Sequence, residues 1–360
     1  MKTEIIEVHP QFPDAKKITY CANILRKGGL VVFPTETVYG IAADFSNERA
    51  MKRLREVKKR SQDKPFSILI SQSGLISNYT STTDTALYKL IDACWPGPLT
   101  VVVPAKEFIP NSFAGTTIGV RMPDHPIAIK LVQESQCTIA APSANFEGNH
   151  PASTCQEALR DLDGLVDAAI DGGTAKFGIG SSVVDLAHGV PKILREGVIK
   201  QSDVDRITQK KTVLFICTGN SCRSVMAEYL LRSMIAGRAD IEVLSAGTGV
   251  FLKTSASSET IAILKEAGID ASGHLSQPIH SILLKKSDLI IVMTRTHRQQ
   301  VLERVPEVEK RVYLLREFVD APSGYQPELD VSDPIGQPHY AYKECFTLIK
   351  EAMHKIVSLV

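Results

Sequence analysis

The chain has 360 residues and a net charge of +1, and 44% of its residues are hydrophobic and 22% charged; this composition is typical of a globular protein of about two domains and gives no charge signal for nucleic-acid binding. No apolar run reaches the roughly 18 residues of a membrane span, and the first residues, MKTEIIEVHP, lack the apolar stretch of a signal peptide. The 7 cysteines are scattered and form no CxxC pair, so we expect neither a disulfide framework nor a zinc ribbon, and we expect a cytoplasmic protein.

Short, polar and turn-rich stretches mark the first half of the chain, where strand-like apolar runs alternate with helical patterns. They are residues 34–40 (PTETVYG), 58–65 (KKRSQDKP), 95–100 (WPGPLT), 121–123 (RMP), 141–145 (APSAN), 181–185 (SSVVD) and 193–197 (ILREG). Several follow apolar runs directly, which places their side chains at the ends of predicted strands. Basic, hydroxyl and amide side chains that converge there fit a phosphorylated or carboxylated ligand. The residues alone therefore predict a site for an anionic, nucleotide-like molecule.

In this order, the stretches resemble those of the YrdC-type threonylcarbamoyl-AMP synthases, over about residues 10–200. The resemblance implies an α/β domain with a twisted mixed sheet that makes threonylcarbamoyl-AMP from L-threonine, bicarbonate and ATP, with Mg²⁺, for the modification of tRNA adenosine 37. Its implied partners are tRNA-modifying enzymes that act downstream, and RNA. The implied threonine-binding residues are Thr35, Thr117, Arg121 and Ser181. The implied ATP-binding residues are Lys58, Arg60, Ser143, Asn145 and Arg195.

Two departures from the family pattern occur. The family sequence K-G-R-P reads Lys58-Lys59-Arg60-Ser61 here, and Leu69 replaces a histidine of some members. Both changes bear on the affinity for threonine and ATP. An alternative function stays open, in which the first half is a nucleotide- or RNA-binding module that regulates the second half without making threonylcarbamoyl-AMP.

A polar stretch at 201–211 (QSDVDRITQKK) precedes a new strand signal, so we expect domains at 1–207 and 208–360. The predicted strands of the second domain are 213–217, 241–245, 288–293 and 311–315. Its predicted helices start at about 223 and span about 256–267, 296–303 and 338–358. Short apolar strands separated by helices predict a Rossmann-like parallel sheet with helices on both faces, which binds ligands at the carboxyl ends of its strands.

A C-x5-R sequence joins the first strand of this domain to its first helix, from Cys217 to Arg223, and Ser224 follows. A loop that opens a helix aims backbone N–H groups at one point, so it can hold a tetrahedral oxyanion. Arg223 can bind two phosphate oxygens, and the positive field favours the reactive thiolate of Cys217. Ser224 can donate a hydrogen bond to that thiolate. The other residues of the predicted phosphate loop are Thr218, Gly219, Asn220, Ser221 and Cys222.

Asp333 lies in the turn DPIG before the last predicted helix and is our candidate for the general acid. In the predicted mechanism, Cys217 attacks phosphorus while Asp333 protonates the leaving group. Water then hydrolyses the phosphocysteine, with Asp333 as base. This chemistry requires no metal or other cofactor.

With these motifs, residues 212–360 resemble the low-molecular-weight protein-tyrosine phosphatases, and most of all the bacterial protein-arginine phosphatases, which have a hydroxyl residue at the position of Ser221. The resemblance implies a phosphoprotein substrate. Phosphotyrosine and phosphoarginine both stay open, with Ser221 favouring phosphoarginine. Cys222 resembles a cysteine that protects the nucleophile in a disulfide, although simple packing explains it equally well. Arsenate reductase, on the same fold, is disfavoured because no further cysteine occurs between Cys222 and Cys345. The sequence therefore predicts a bifunctional cytoplasmic enzyme.

Overall fold

The computed structural model describes residues 2–61, 64–107, 116–319 and 328–360. The chain forms two compact units. The first comprises Met1–Thr82 and Lys89–Ile207, and the second comprises Thr83–Tyr88 and Thr208–Val360. Helices and strands alternate in both, which confirms the predicted α/β class.

A sheet of 10 strands is the framework of the first unit. Its strands are β1 (Glu4–Glu7), β2 (Val31–Phe33), β3 (Gly40–Asp44), β4 (Ile68–Leu69), β5 (Leu99–Pro104), β6 (Thr117–Arg121), β7 (Ile139–Ala140), β8 (Ala168–Asp171), β9 (Ser182–Asp185) and β10 (Lys192–Arg195). Their order across the sheet is β1-β8-β2-β3-β7-β4-β6-β5-β9-β10. Parallel pairs such as β5 with β9 occur beside antiparallel pairs such as β5 with β6, so the sheet is mixed, as predicted.

The helices of the first half of the chain are α1 (Ala15–Arg26), α2 (Glu48–Lys58), α3 (Thr85–Cys94), α4 (Pro126–Ser135) and α5 (Cys155–Leu162). Residues at both ends of α1 define where this helix begins and ends. The carboxylate of Asp14 accepts hydrogen bonds from the first turn, and Gly28 follows the helix with a φ of 80°. Leu25 of α1 and Leu131 of α4 pack with β2 in one buried apolar cluster, which fixes these helices on the sheet.

Four parallel strands form the sheet of the second unit, in the order β12-β11-β13-β14. They are β11 (Lys211–Cys217), β12 (Ile241–Gly247), β13 (Leu289–Val292) and β14 (Val312–Leu314). The helix α6 (Gln201–Gln209) precedes β11 and lies mostly in the first unit. The helices of the second unit are α7 (Arg223–Met234), α8 (Ser258–Glu266), α9 (Ser281–Lys286), α10 (Arg295–Arg304) and α11 (His339–Leu359). Phe215 belongs to the apolar core on one face of β11 and Leu214 to the core on the other. Both faces are therefore buried, as the continuous apolar strand predicted.

Two helices differ from the sequence prediction. The stretch 201–211, which the sequence marks as a polar boundary, is mostly the helix α6, because Val204 gives it a buried side chain. The short helix α9 was not predicted; it starts where the His280 side chain accepts a hydrogen bond from the N–H of Leu283. The other helices and strands of the second unit lie where the sequence predicts them, within a few residues.

Two candidate active sites

The phosphate loop of the second unit lies between β11 and α7. Cys217 ends the strand and is 3% exposed, and Arg223 begins the helix and is 4% exposed. Asn220 has a φ of 51°, which is the left-handed conformation that asparagine tolerates. The loop therefore turns back on itself between the nucleophile and the arginine.

A chain of hydrogen bonds orients the hydroxyl group next to the nucleophile. The Ser245 hydroxyl donates to the carboxylate of Glu228, so Ser245 Oγ accepts from the amide of Asn220 at 2.7 Å. The same amide group donates to Ser224 Oγ at 3.0 Å. Ser224 Oγ lies 3.0 Å from Cys217 Sγ. Because Asn220 is the donor to Ser224, the hydroxyl hydrogen of Ser224 is free to point at the sulfur.

Arg223 is bonded to the loop that carries Asp333. Its Nη1 donates to the Val331 carbonyl at 2.9 Å, and its Nη2 donates to the Asp333 carboxylate. The Asp333 side chain is 41% exposed, whereas that of Arg223 is 5% exposed. The acid therefore lies at the open side of the loop, and the arginine lies beneath it.

In the first unit a cavity of about 330 Å³ opens where several strands end. Seven of the nine residues predicted to bind threonine or ATP line it: Thr35, Arg60, Arg121, Ser143, Asn145, Ser181 and Arg195. They come from the turn after β2, the turn after α2, the end of β6, the turn after β7, the start of β9 and the end of β10. Leu69 also lines this cavity.

The two other predicted residues lie outside the cavity lining. Lys58 is 1% exposed, and its ammonium group donates to the backbone carbonyls of Ser143 (2.7 Å) and Asn145. Burial, and then the positive charge of Arg60, lower the pKa of Lys58 to about 8. Thr117 is at the far end of β6 from Arg121 and pairs with Pro104. Lys58 therefore holds the turn that contributes to the cavity and does not face the cavity itself.

Three guanidinium groups make the cavity electropositive. Arg195 donates from Nε and Nη2 to the Ser181 carbonyl at 3.0 and 2.9 Å, and Nη2 lies 3.1 Å from Ser181 Oγ. Partial burial of its guanidinium, and then the charges of Arg121 and Arg60, lower the pKa of Arg195 from its ordinary value. Thr100 forms a hydrogen bond with Ser181, with 2.9 Å between the two hydroxyl oxygens. Such a concentration of positive charge suits a polyanionic ligand.

Known proteins resemble each half. Residues 23–197 match the family model Sua5/YciO/YrdC, described as telomere recombination. A protein of Methanocaldococcus jannaschii named putative threonylcarbamoyl-AMP synthase is 32% identical over 201 residues, which are 55% of this chain and 95% of the relative. The chain belongs to the Sua5/YciO/YrdC family. Its residues 212–360 match the family model described as low molecular weight phosphotyrosine protein phosphatase.

One further sequence and one crystal structure extend the comparison with the Sua5/YciO/YrdC family. The threonylcarbamoyl-AMP synthase of Pyrococcus abyssi is 37% identical over 207 residues, which are 57% of this chain and 61% of the relative. The chain thus spans less than two thirds of that relative. A crystal structure of P. abyssi Sua5 complexed with L-threonine superposes with a TM-score of 0.55 and 26% identity, covering 87% of this chain and 99% of the other.

The sequence did not point to Glu36, a buried acid beside the cavity. Glu36 is 3% exposed, and its Oε1 lies 2.7 Å from Arg121 Nη2. The second oxygen, Oε2, has no hydrogen-bond partner within the part of the chain that the structure describes. A clue was present, because Glu36 lies between two threonines in a turn that follows a buried strand.

Sequence reasoning also missed His297, which lies close to the phosphate loop. Its Nε2 lies 2.9 Å from Thr218 Oγ1, and its Nδ1 lies 2.8 Å from Thr294 Oγ1. Burial, and then the positive charge of Arg223, lower the pKa of His297 to about 4. The available clue was position, because His297 follows β13, the neighbour of β11, at the carboxyl edge of the sheet.

The remaining predicted feature is Cys222, which is buried with its sulfur 3.4 Å from Ser257 Oγ. A redox role for it stays a prediction. Among the described residues, no group of three or more His, Cys, Asp and Glu side chains could hold a metal ion. None of the described helices has the length and apolar character needed to cross a membrane.

Proposed function

We propose that the first unit, as a domain of residues 1–207, makes threonylcarbamoyl-AMP from L-threonine, bicarbonate and ATP, for the modification of tRNA adenosine 37 by downstream enzymes. The observation that carries the proposal is the cavity in which Arg60, Arg121 and Arg195 converge. Membership of the Sua5/YciO/YrdC family supports it. The volume of the cavity is within the usual range for a substrate site, and three guanidinium groups suit a ligand that carries both a carboxylate and a triphosphate.

In the proposed reaction the threonine amine attacks the carbon of bicarbonate, and a carbamate forms as a C–O bond breaks and water leaves. A carbamate oxygen attacks the α-phosphorus of ATP, the bond to the bridging oxygen of the β-phosphate breaks, and pyrophosphate leaves. Arg121 binds the threonine carboxylate, while Arg60 and Arg195 offset the charge of the phosphates. Catalysis is then mainly positioning and charge neutralisation, which the bonds from Arg195 to Ser181 favour.

The structure-based roles of two residues differ from those that the resemblance implies. We assign Lys58 to shaping the ATP site, because its ammonium group is already bonded to the turn at Ser143 and Asn145. Thr117 lies outside the cavity lining, and the proposal gives it no contact with threonine. Mg²⁺ enters with ATP as part of the substrate, since this ion commonly needs only one or two protein carboxylates besides phosphate oxygens.

Release of pyrophosphate tests the proposed synthase function. The full chain with ATP should release pyrophosphate only when L-threonine and bicarbonate are both present, and Arg121→Met should raise the KM for threonine at least tenfold. Arg206→Met is the matched control, since Arg206 pairs with Asp203 at the surface. ATP binding without pyrophosphate release would contradict the proposal and support the alternative of a regulatory nucleotide- or RNA-binding module.

We propose that the second unit, as a domain of residues 208–360, hydrolyses phosphorylated protein side chains through a phosphocysteine. The observation that carries the proposal is the oriented Ser224 hydroxyl 3.0 Å from Cys217 Sγ. Cys217 attacks phosphorus while Asp333 protonates the leaving atom, and water then hydrolyses the thiophosphate bond with Asp333 as base. The incoming phosphoryl group takes the place that Asp333 now holds on Arg223, which frees the carboxyl group for proton transfer.

A comparison of two peptides tests this function. Peptides with phosphoarginine or phosphotyrosine in the same sequence are given to the full chain, and Cys217→Ser should abolish phosphate release from both. Asp333→Asn should lower kcat by about a hundredfold, because the leaving group loses its proton donor. Phosphate release by the Cys217→Ser chain at the wild-type rate would refute the mechanism. We expect phosphoarginine to be the better substrate, on the strength of Ser221.

A further inference from the structure

The rim of the phosphate loop next to the nucleophile is polar on its exposed side. Thr218 follows Cys217 directly, and its side chain is exposed. Its carbonyl accepts a hydrogen bond from the N–H of Gly249 at 3.0 Å, so the backbone at Thr218 is fixed. The Thr218 hydroxyl is therefore an exposed polar group one residue away from the nucleophile.

His297 fixes this hydroxyl through a chain of three side chains. Thr294 Oγ1 accepts the backbone N–H of His297 at 3.2 Å and lies 2.8 Å from His297 Nδ1. On the other side of the ring, Nε2 lies 2.9 Å from Thr218 Oγ1. The imidazole is 4% exposed, so water does not compete for either nitrogen.

Hydrogen-bond counting assigns the direction of the chain. A neutral imidazole has one donor and one acceptor nitrogen. If Nδ1 is the acceptor, the Thr294 hydroxyl donates to it, and Nε2–H donates to Thr218. In the opposite arrangement the Thr294 hydrogen is without an acceptor among the described contacts. In the first arrangement only the hydroxyl hydrogen of Thr218 lacks a described acceptor, and water can accept it because Thr218 is exposed, so this is the arrangement that we adopt.

His297 is neutral at physiological pH. Burial comes first among the causes that bring its pKa down to about 4, and the charge of Arg223 comes second. The carboxylates of Asp333 and Asp330 act in the opposite direction, with smaller effect. A neutral ring donates only one hydrogen bond here, and this bond goes to Thr218.

We propose that Thr218, positioned by His297, is a specificity-determining residue that favours a phosphorylated guanidinium group over a phosphorylated phenol. The inference rests on the proposed phosphatase function. His297 occupies one lone pair of Thr218 Oγ1, and no other described residue bonds this exposed oxygen. The N–H groups of a phosphoguanidine can donate to it, whereas the ring of phosphotyrosine has no donor there. Because His297 holds the hydroxyl in place before the substrate arrives, little entropy is lost on binding.

Four variants of the full chain separate a specific role from a structural one. Thr218→Val removes the hydroxyl at nearly equal volume, and His297→Leu removes its support. Thr218→Ser keeps the hydroxyl, and His297→Gln keeps an N–H at the position of Nε2. We expect the first two to lower kcat/KM about tenfold for a phosphoarginine peptide and less than threefold for the matched phosphotyrosine peptide. The conservative variants should retain most of the activity, and the double variant Thr218→Val with His297→Leu should be no worse than either single one.

The possible results are distinct. Equal losses for the two peptides, or no loss for either, would overturn the inference, as would a double variant whose losses add. If the wild-type chain hydrolyses neither peptide, the proposed phosphatase function fails, and the inference fails with it. If the wild-type chain hydrolyses both and Thr218→Val leaves their ratio unchanged, only the inference fails. Thermal unfolding of each variant identifies losses that come from unfolding.

Discussion

The buried ion pair of Glu36 and Arg121 allows a quantitative test of how the cavity is held together. Their side chains are 3% and 9% exposed, and 2.7 Å separates Glu36 Oε1 from Arg121 Nη2. Replacing Glu36 by Gln keeps the shape but leaves the largely buried guanidinium of Arg121 without this counter-charge. Removal of one partner of such a pair typically costs about 3–5 kcal/mol. Since Glu36 Oε2 has no partner in the described chain, part of the acid's own desolvation cost disappears on substitution, and we expect the lower value, about 3 kcal/mol.

The single tryptophan makes this measurable in the full chain. Trp95 is 8% exposed and lies in the first unit, so its fluorescence during urea unfolding reports on that unit. Glu147→Gln is the matched control: its partner Lys64 is 54% exposed, so the loss should stay below about 1 kcal/mol. The double variant Glu36→Gln with Arg121→Met should recover part of the stability, because no buried charge is left alone. Equal stability of Glu36→Gln and the Glu147→Gln control would refute this account.

Three further predictions concern single groups. The pKa of His297 is near 4 in the folded chain and near 6.5 in the unfolded one, so the unfolded state binds more protons between these values. The free energy of unfolding of the second unit should therefore fall by up to about 3 kcal/mol as the pH falls from 7 to 4. His297→Gln should lack this loss in urea titrations, and identical pH slopes for the two chains would contradict the prediction. The Lys58 amine, with a pKa of about 8, loses its charge above that pH, so threonine-dependent pyrophosphate release should decline there, and a flat profile to pH 10 would count against this role. Ser224→Ala removes the donor to the nucleophile and should slow alkylation of Cys217 by iodoacetate at pH 6 about tenfold; an unchanged rate would show that the hydroxyl is unimportant.

The phosphate loop could be predicted from the sequence because its geometry is local. Eight consecutive residues from Cys217 to Ser224 contain the strand end, the turn and the helix start, and the left-handed residue is an asparagine, as the loop requires. The parallel sheet was equally accessible, since a strand buried on both faces is apolar at every position. In the first unit the order of the motifs sufficed to predict which turns meet, and seven of nine predicted side chains line one cavity.

The sequence could not show how side chains distant along the chain share their hydrogen-bonding capacity. Lys58 looked like a phosphate ligand because a basic residue in a turn commonly is one, but its ammonium group is bonded to carbonyls about 85 positions further on. Glu36 and Arg121 are separated by the same distance in sequence. A local pattern cannot distinguish a lysine that faces a ligand from one that holds the turn beside it, because both require the same residue type.

The residues that sequence reasoning missed therefore belong to one kind. Glu36 and His297 do not carry the reaction; each is buried and holds a polar side chain that faces a site, Arg121 in one case and Thr218 in the other. Burial makes such a support effective, since water cannot replace the hydrogen bond. It also marks each support: one carboxylate oxygen of Glu36 has no partner among the described residues, and the pKa of His297 is lowered. Buried polar groups with perturbed pKa values cluster at functional sites, so such groups are the next positions at which to look for determinants of specificity in both units.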